Sequence, residues 1–527
     1  MKLTHIPELV NNQWQQMVRV SLNEQSWSCE IEVSPDQLVE VCGWLSTKLG
    51  YRFAGLIVEE QRSEWELYYV FCGDTEAGLV HVLVRQALVN VTFPSISARI
   101  HAADWHEREA EDLFGLTFKG HPRLGDFLLH NDRWQENLCP MRRSFDGHKP
   151  VIERKPELNW RPRRIVKDPG AFAMPIGPIY SGVTESVHFL LETVGEDVIR
   201  TIPRLFYKYR AIEKIAEGRH VNDVLLFVER IAATTAFSHA LAFCQAVESI
   251  CRVQVPQRAM VLRRFLAELE RFRHHVGAIR EICESTALIV AANQMSILEE
   301  ELLRLTCAFT GHRYLFGLTI PGGLSRTIED KACQETLDKT HRILRTLGKL
   351  EKMLYASSSF LDRLEEVGIV SAVNAGKYGL VGPVTRASGH SCDLRKDRPY
   401  SGYDTCAFDV PCELEGDGYA RLRVLFAEVY QAVRIMEQAL SALRDGPVLA
   451  PTMEMRSGAA LGWAETPRGA TFHWLRLDDD GRVVRFHPIT PSFVNWHGFH
   501  LAAEKFAFQD FPIILATFDL SVAENDR

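Results

Sequence analysis

The sequence predicts an α+β chain: a small N-terminal α+β domain joined to a mainly helical-bundle domain with peripheral β-hairpins. Three observations carry this. Residues 1–145 hold short aromatic or β-branched runs around well-capped helical segments. Residues 146–170 are rich in Pro, Lys and Arg and poor in apolar residues, the composition of a linker. Residues 171–527 carry long segments with apolar residues at three–four spacing, the signature of packed amphipathic helices.

The chain has 527 residues, too many for one ordinary core. Its hydrophobic fraction is 46% and its charged fraction 24%, with 60 basic and 68 acidic residues and a net charge of −8. No basic stripe with interleaved aromatics is present, so nucleic acid is not an expected partner. No uninterrupted apolar run of 18 residues occurs, which argues against a spanning helix. Residues 1–25 lack the charged-then-apolar order of a signal peptide. The expected location is the cytoplasm, with peripheral attachment to a membrane complex left open. The 12 cysteines include no CxxC pair. They read as small buried hydrophobes, since a thiolate metal site needs closely spaced ligands.

In order, strands are expected at 27–33 and 67–72, from alternation and aromatic content. Residues 79–91 are apolar enough for strand or helix, and periodicity leaves both open. Ser34 caps a helix over 34–49, with Pro35 at its first position. Asp104 is placed to cap a second helix that stops at Gly115. After Ala171 come two strands, a turn and a helix. Long helices follow at 222–249, 257–284, 299–311 and 330–358, and short β-segments at 381–388 and 472–486. Residues 229–248 read as part of one buried helix. In 256–279, Leu262, Phe265, Leu266, Leu269 and Phe272 share a face.

Two sets of motifs resemble a known family. Trp105, Glu107, Arg108, Glu109, Asp112, Phe114 and Gly115 match the W-x-E-R-E-x-x-D-x-F-G core of the 30-kDa-type subunit of respiratory complex I, with CPMRRSFD following. In that family this domain is structural and docks other subunits. The remainder resembles the 49-kDa-type subunit of complex I and the homologous large subunit of group 4 membrane-bound NiFe hydrogenases, in the fused layout of the hydrogenase-4 and formate hydrogenlyase type. The matching motifs are Gly177–Pro178, EKIAEGR (213–219), VPQRA (255–259), GLTIPGGLSR (317–326), VGPVTRASG (381–389), DVPCELEGDGYARLRVL, ETPRGA (465–470) and PSFVNW (491–496). Asp393, Arg395, Pro399, Tyr400 and Tyr403 belong to the same set.

The departures bear on function. The hydrogenase pattern holds nickel and iron with two CxxC pairs, because soft thiolates suit both metals. The four ligand positions fall here on Ala232, Thr235, Ser521 and Glu524, so the resemblance implies no nickel–iron centre and no metal ligand in this chain. A hard cation on Thr235, Ser521 and Glu524 is the minor alternative. In complex I the quinone headgroup lies between a His of the first hairpin and a Tyr on the helix that replaces the first ligand helix. The Tyr position falls on Ala233. The hairpin motif reads Gly177, Pro178, Ile179, Tyr180, Ser181, with His188 near but off the motif. Tyr180 is a proton donor to a quinone in one reading and a packing residue in the other.

If the fold is kept, Glu185, His188, Arg230, Thr234, Thr235, His239, Arg386, Asp393, Ser521 and Glu524 are expected to converge. They would form either a satisfied polar network or a ligand and proton-relay pocket. The catalytic candidates are Tyr180 and, from this set, Glu185, His188, Arg230, His239, Arg386 and Asp393. The resemblance implies a large peripheral-arm subunit on the cytoplasmic side of the inner membrane. It binds no cofactor itself. A 4Fe-4S cluster is expected on a partner small subunit of the complex I 20-kDa type, beside a membrane anchor subunit and antiporter-like membrane subunits. Quinone binding, NAD binding, electron transport and ion translocation are the properties implied for the assembly. A catalytically inert scaffold or coupling subunit is the alternative.

Overall fold

A computed structural model describes residues 2–14, 18–23, 28–74, 76–125, 127–130, 134–135, 138–147, 149, 169–179 and 185–527. Tyr180 and most of the 146–170 linker lie outside the described residues. In the N-terminal part, β1 (Arg19–Asn23), β2 (Ser28–Val33), β3 (Arg52–Glu60), β4 (Glu64–Cys72) and β5 (Leu79–Ala87) form a sheet in the order β1-β2-β5-β4-β3. β2 and β5 run parallel and the other pairs antiparallel. The ambiguous run at 79–91 is therefore a strand, as its valine content favours. Helices α1 (Ile6–Trp14), α2 (Leu38–Thr47) and α3 (Asp104–Phe114) pack with it, beside the short pair β6 (Thr92–Pro94) and β7 (Thr117–Lys119). Ser34 and Gln37 form a capping box ahead of α2. Gly115 ends α3 at φ 67°, where a side chain would be strained. Asp104 does not cap α3, contrary to expectation: it is the first helical residue, and its carboxylate is taken by Arg123 at 2.8 Å.

Strand β4 explains why this sheet is attached to the rest. Its side chains are buried on both faces. Trp65, Leu67, Tyr69 and Phe71 enter the N-terminal core, whereas Tyr68, Val70 and Cys72 enter the core of the C-terminal part. The second core supplies Trp474, whose ring lies 4.8 Å from that of Tyr68 and whose indole N–H donates to Glu59. Arg476 closes on the same carboxylate at 2.5 Å. Trp474→Ala is expected to cost about 3–5 kcal/mol, read as a lower Tm by calorimetry of the purified chain. An unchanged Tm would mean that the two parts do not stabilise each other.

The segment after Ala171 gives three strands rather than two: β8 (Ala171–Ile176), β9 (His188–Val194) and β10 (Asp197–Arg204). The small α4 (Ile212–Ala216) follows. The expected helix over 222–249 is broken into α5 (Val221–Val228) and α6 (Ala236–Cys251), bent by 112°. The break has a polar cause. Arg210 donates to the carbonyls of Arg230 at 2.5 Å and Ile231 at 2.9 Å, and Ala232 is extended. Glu270 then accepts from the backbone N–H groups of Phe237 at 2.8 Å and Ser238 at 3.1 Å. A buried carboxylate thus caps the new helix start.

Around α6 pack α7 (Gln257–Ser285), α8 (Ile289–Thr310), the tight pair β11 (Thr319–Ile320) and β12 (Gly323–Leu324), and α9 (Asp330–Tyr355). Helix α8 starts at Ile289 rather than Glu299, because Ala291, Ala292, Met295 and Leu298 extend its buried face. The short α10 (Ser358–Leu361), α11 (Ala372–Lys377), α12 (Gly382–Arg386) and α13 (Leu394–Asp397) lead to the long α14 (Gly418–Ala442). Residues 381–388, expected as β, contain α12, with Pro383 in its first turn. Next come the antiparallel β13 (Gly458–Thr466), β14 (Gly469–Leu477) and β15 (Val483–Ile489). Helix α15 (Pro491–Ala502), β16 (Phe506–Ala507) and α16 (Phe511–Phe518) close the chain, with β16 paired to β10. Among the described residues, no single helix is long and apolar enough to cross a membrane.

Candidate functional site

The four positions singled out in the sequence meet in the interior, at the start of α6 and in the segment after α16. Ala232, Thr235, Ser521 and Glu524 are all buried. Arg210 fastens the two segments together: besides the 230–231 carbonyls it donates to the carbonyls of Ala523 at 2.6 Å and Asp526 at 2.9 Å. A third segment enters through two glycines. A Cβ on Gly382 would lie 2.0 Å from the carbonyl oxygen of Arg468, and one on Gly469 would lie 2.7 Å from the Gly382 nitrogen. Both have positive φ. Only a pair of glycines lets the α12 start and the β13–β14 turn touch. This contact carries Arg468 into the site and leaves Arg386 behind it.

Arg468 lies among the ligand positions. Its guanidinium is 3.5 Å from Glu524 Oε1, 3.3 Å from Asp519 Oδ1 and 3.0 Å from the Thr234 hydroxyl, and its Nε donates to the Asp519 carbonyl at 2.6 Å. Glu524 Oε1 also accepts from the Thr235 hydroxyl at 3.4 Å, and His239 Nε2 stands 3.7 Å away. Its Oε2 accepts from the Ser492 backbone at 3.0 Å. Burial works against the ionised form of Glu524. The His239 ring and the Arg468 charge outweigh it and hold the carboxyl down at about 2. Asp519 is likewise depressed, against burial, by Arg468 and His274, whose Nε2 approaches it at 2.5 Å. His274 itself is pushed down to about 4, chiefly by burial. Ser521 donates to Glu185 at 3.4 Å, and the Val522 N–H donates to the same carboxylate.

A nickel–iron group does not fit these residues. None of the four positions offers a thiolate, and a guanidinium already holds positive charge against Glu524 and Asp519. A hard cation on Thr235, Ser521 and Glu524 would face the same guanidinium.

Glu185, Thr234, Thr235, His239, Ser521 and Glu524 are thus brought together as expected. Others are not. Arg230 is exposed, donates to the Leu226 carbonyl at 2.6 Å and lies over the Phe316 ring. Its outward turn follows from the break after α5. His188 is half-buried at the start of β9 opposite Arg204, and burial lowers its pKa. Among the described residues no hydrogen bond or ion pair joins it to the network. Ala233, at the quinone tyrosine position, is exposed.

Arg386 and Asp393 build a second network, deeper in the molecule. Arg386 meets Glu428 at 2.7 Å, Glu465 at 2.9 Å and Asp393 at 3.6 Å. Arg395 bridges Asp393 at 2.6 Å and Glu268 at 3.0 Å. Arg271 reaches Glu268 at 3.3 Å and Glu428 at 3.5 Å, while His275 Nε2 reaches Glu428 at 2.9 Å. Helix α7 links the two networks through adjacent residues, His274 to one and His275 to the other.

Sequence reasoning passed over Arg468, Asp519, His274, Arg210, Glu428 and Glu465. Arg468 and Glu465 lay in view within ETPRGA, and Asp519 opens the D-x-S-x-x-E ending. Arg210 and Glu428 carry no local signal.

Residues 289–459 and 448–527 match the family described as respiratory-chain NADH dehydrogenase, 49 Kd subunit. Residues 31–151 match the 30 Kd subunit of the same enzyme, and residues 210–277 match nickel-dependent hydrogenase. Formate hydrogenlyase subunit 5 of Escherichia coli (strain K12) is 29% identical over 506 residues, 94% of this chain and 88% of that protein. Hydrogenase-4 component G of the same strain is 28% identical over 450 residues, 84% of this chain and 78% of that protein. The C/D subunit of NADH-quinone oxidoreductase from Bdellovibrio bacteriovorus (strain ATCC 15356 / DSM 50701 / NCIMB 9529 / HD100) is 31% identical over 353 residues, 65% of this chain and 62% of that protein. The chain therefore belongs to the family of fused large subunits, of the 30-kDa-plus-49-kDa type, shared by complex I and the group 4 membrane-bound NiFe hydrogenases, with non-thiol residues at all four ligand positions.

Proposed function

We propose that this chain is the large peripheral-arm subunit of a membrane-bound, complex I-like redox assembly related to energy-converting hydrogenases, with no nickel–iron centre and no hydrogenase activity. The observation that carries this reading is Arg468 standing against Glu524 and Asp519 at the ligand positions. A fixed guanidinium there balances buried carboxylates but cannot change oxidation state. Electrons reach the neighbourhood from a 4Fe-4S cluster on a small partner subunit, and a membrane anchor and antiporter-like subunits lie below. This chain's part is to couple the charge change to buried proton and charge shifts, with ion translocation as the output. The acceptor is a quinone or another small molecule at the subunit interface.

The test is elemental analysis of the purified whole complex, with reduction of a quinone analogue assayed on the same sample. Iron without nickel is the expected result. Quinone reduction that Glu185→Gln weakens would place the acceptor at this site. Iron with no reductase activity would leave a coupling scaffold. Stoichiometric nickel would overturn the reading.

A further inference from the structure

Two buried imidazoles lead into the Glu524 site. His239 on α6 and His473 on β14 are both 0% exposed. Their rings stack at 26° with centroids 5.4 Å apart, and His239 Nδ1 lies 3.2 Å from His473 Nε2. Among the described residues neither outer nitrogen has a hydrogen-bond partner, but their surroundings differ: His239 Nε2 faces Glu524 Oε1 at 3.7 Å, whereas no carboxylate stands against His473 Nδ1.

This arrangement fixes the tautomers. A neutral imidazole has one N–H and one bare nitrogen. If His239 donated from Nδ1, its bare Nε2 would oppose the negative Glu524 oxygen, and His473 would bury an unmet Nδ1–H. If His473 donates from Nε2, His239 carries its proton on Nε2 and points it at Glu524. The remaining bare nitrogen is then His473 Nδ1, a buried lone pair without a donor. Leaving a buried polar atom unmet is costly, so such an atom asks for a function or a water. The charged and titratable groups around His473 favour a neutral ring there. Arg527 and His487 face His473 together with His239, Arg468 stands against Glu524, and burial holds His473 well below the ordinary histidine range.

We infer that His473 and His239 form an oriented proton relay ending on Glu524, at rest with both rings as Nε2–H tautomers and His473 Nδ1 as the receiving atom. In one passage hydronium gives its proton to His473 Nδ1 and leaves water. The His473 Nε2–H bond breaks as that proton bonds His239 Nδ1. The His239 Nε2–H bond breaks as its proton bonds Glu524 Oε1. Both imidazoles are neutral before and after, Glu524 becomes a carboxylic acid that donates back to His239 Nε2, and no electron moves. The reverse passage resets the chain. Thr235 and Ser492 keep the accepting carboxylate oriented. They and Arg468 are positioning residues here.

The relay deepens the coupling role proposed above, but its resting state stands on this chain alone, and the test separates the two. Nitrogen-15 magnetic-resonance spectra of the histidine-labelled complex at neutral pH should show both residues protonated at Nε2, with His473 Nδ1 bare and unbonded. His473→Gln and His239→Gln assign the signals by loss. Correlations to neighbouring residues assign them in the unaltered chain if those variants do not fold. An Nδ1–H on either ring, or an imidazolium, overturns the relay. Infrared difference spectra on reducing the complex with dithionite should then show a new protonated carboxyl band, lost in Glu524→Gln and in His473→Gln. A band that persists in His473→Gln also overturns the relay. The expected tautomers with no carboxyl band in any sample support the resting relay and count against the redox reading of the site.

Discussion

Arg386→Met is expected to cost at least about 3–5 kcal/mol, the range for removing one partner of a buried ion pair. Its guanidinium meets Glu428 and Glu465 at 2.7 and 2.9 Å, approaches Asp393 at 3.6 Å and donates to the Cys392 carbonyl at 2.9 Å. All three carboxylates are 2% exposed or less, so water cannot replace the lost cation. The network has little slack. It counts the carboxylates Glu268, Asp393, Glu428 and Glu465 against the guanidinium groups Arg271, Arg386 and Arg395, with His275 hydrogen-bonded to Glu428. Burial already raises the Glu465 carboxyl, whereas Arg386 and His275 hold Glu428 down against its own burial. Arg386→Lys should fail almost as badly. Nε and Nη1 serve different carboxylates in a fixed fork that an ammonium cannot reproduce. Arg304→Ala is the control. Its pair with Glu300 is short, at 2.7 Å, but the arginine is 77% exposed, and such pairs contribute about 0–1 kcal/mol. Urea denaturation of the three variants measures the contrast. Equal losses in Arg386→Met and Arg304→Ala would mean that the core carboxylates take up protons rather than stand uncompensated.

That network shows where sequence reasoning stops. Its members lie on α7, α12, α13, α14 and β13, and nothing local ties one segment to the next. The apolar face of α7 was legible from spacing, and Leu262, Phe265, Leu266, Leu269 and Phe272 are all buried. Arg263, Glu268, Arg271, His274 and His275 of the same helix read as a polar face and are buried too. Periodicity separates apolar from polar positions. It cannot tell a polar face turned to water from one turned to other charges. The strands at 67–72 and 472–486 were legible because alternation is local. The break between α5 and α6 was not, because its cause is Arg210, a residue upstream that takes the carbonyls a continuous helix would use. The motif resemblance reached further than spacing did. It located Thr235, Ser521 and Glu524, remote in sequence, in one place. It did not reveal that Arg468 would stand against them, which depends on the contact of Gly382 with the β13–β14 turn.

Arg468→Met is the sharper probe of the site, and its effect should depend on pH. In the native chain Glu524 titrates at about 2, against about 4.3 for an unperturbed glutamate. The folded-state value is depressed. Its stabilising contribution, about 3 kcal/mol by linkage, is therefore complete above the unfolded value and lost as pH falls from there toward 2. Without Arg468 the carboxylate keeps its burial, the His239 contact and the Ser492 N–H, but loses the guanidinium charge, which after the His239 contact does most to oppose desolvation. Its pKa should rise, the acid-unfolding midpoint should move up, and stability at neutral pH should fall by about 3–5 kcal/mol. Asp519 keeps His274 and limits the loss. The double variant Arg468→Met, Glu524→Gln removes the stranded charge and should recover part of the stability, with a coupling energy of about 1–3 kcal/mol. Glu524→Gln alone should flatten the acid limb between pH 4 and 2. If Arg468→Met left the acid limb unchanged, Glu524 would be held chiefly by the His239 contact, with the Ser492 N–H and the Thr235 hydroxyl. The histidine pair, rather than the guanidinium, would then be the group that answers the charge at this site.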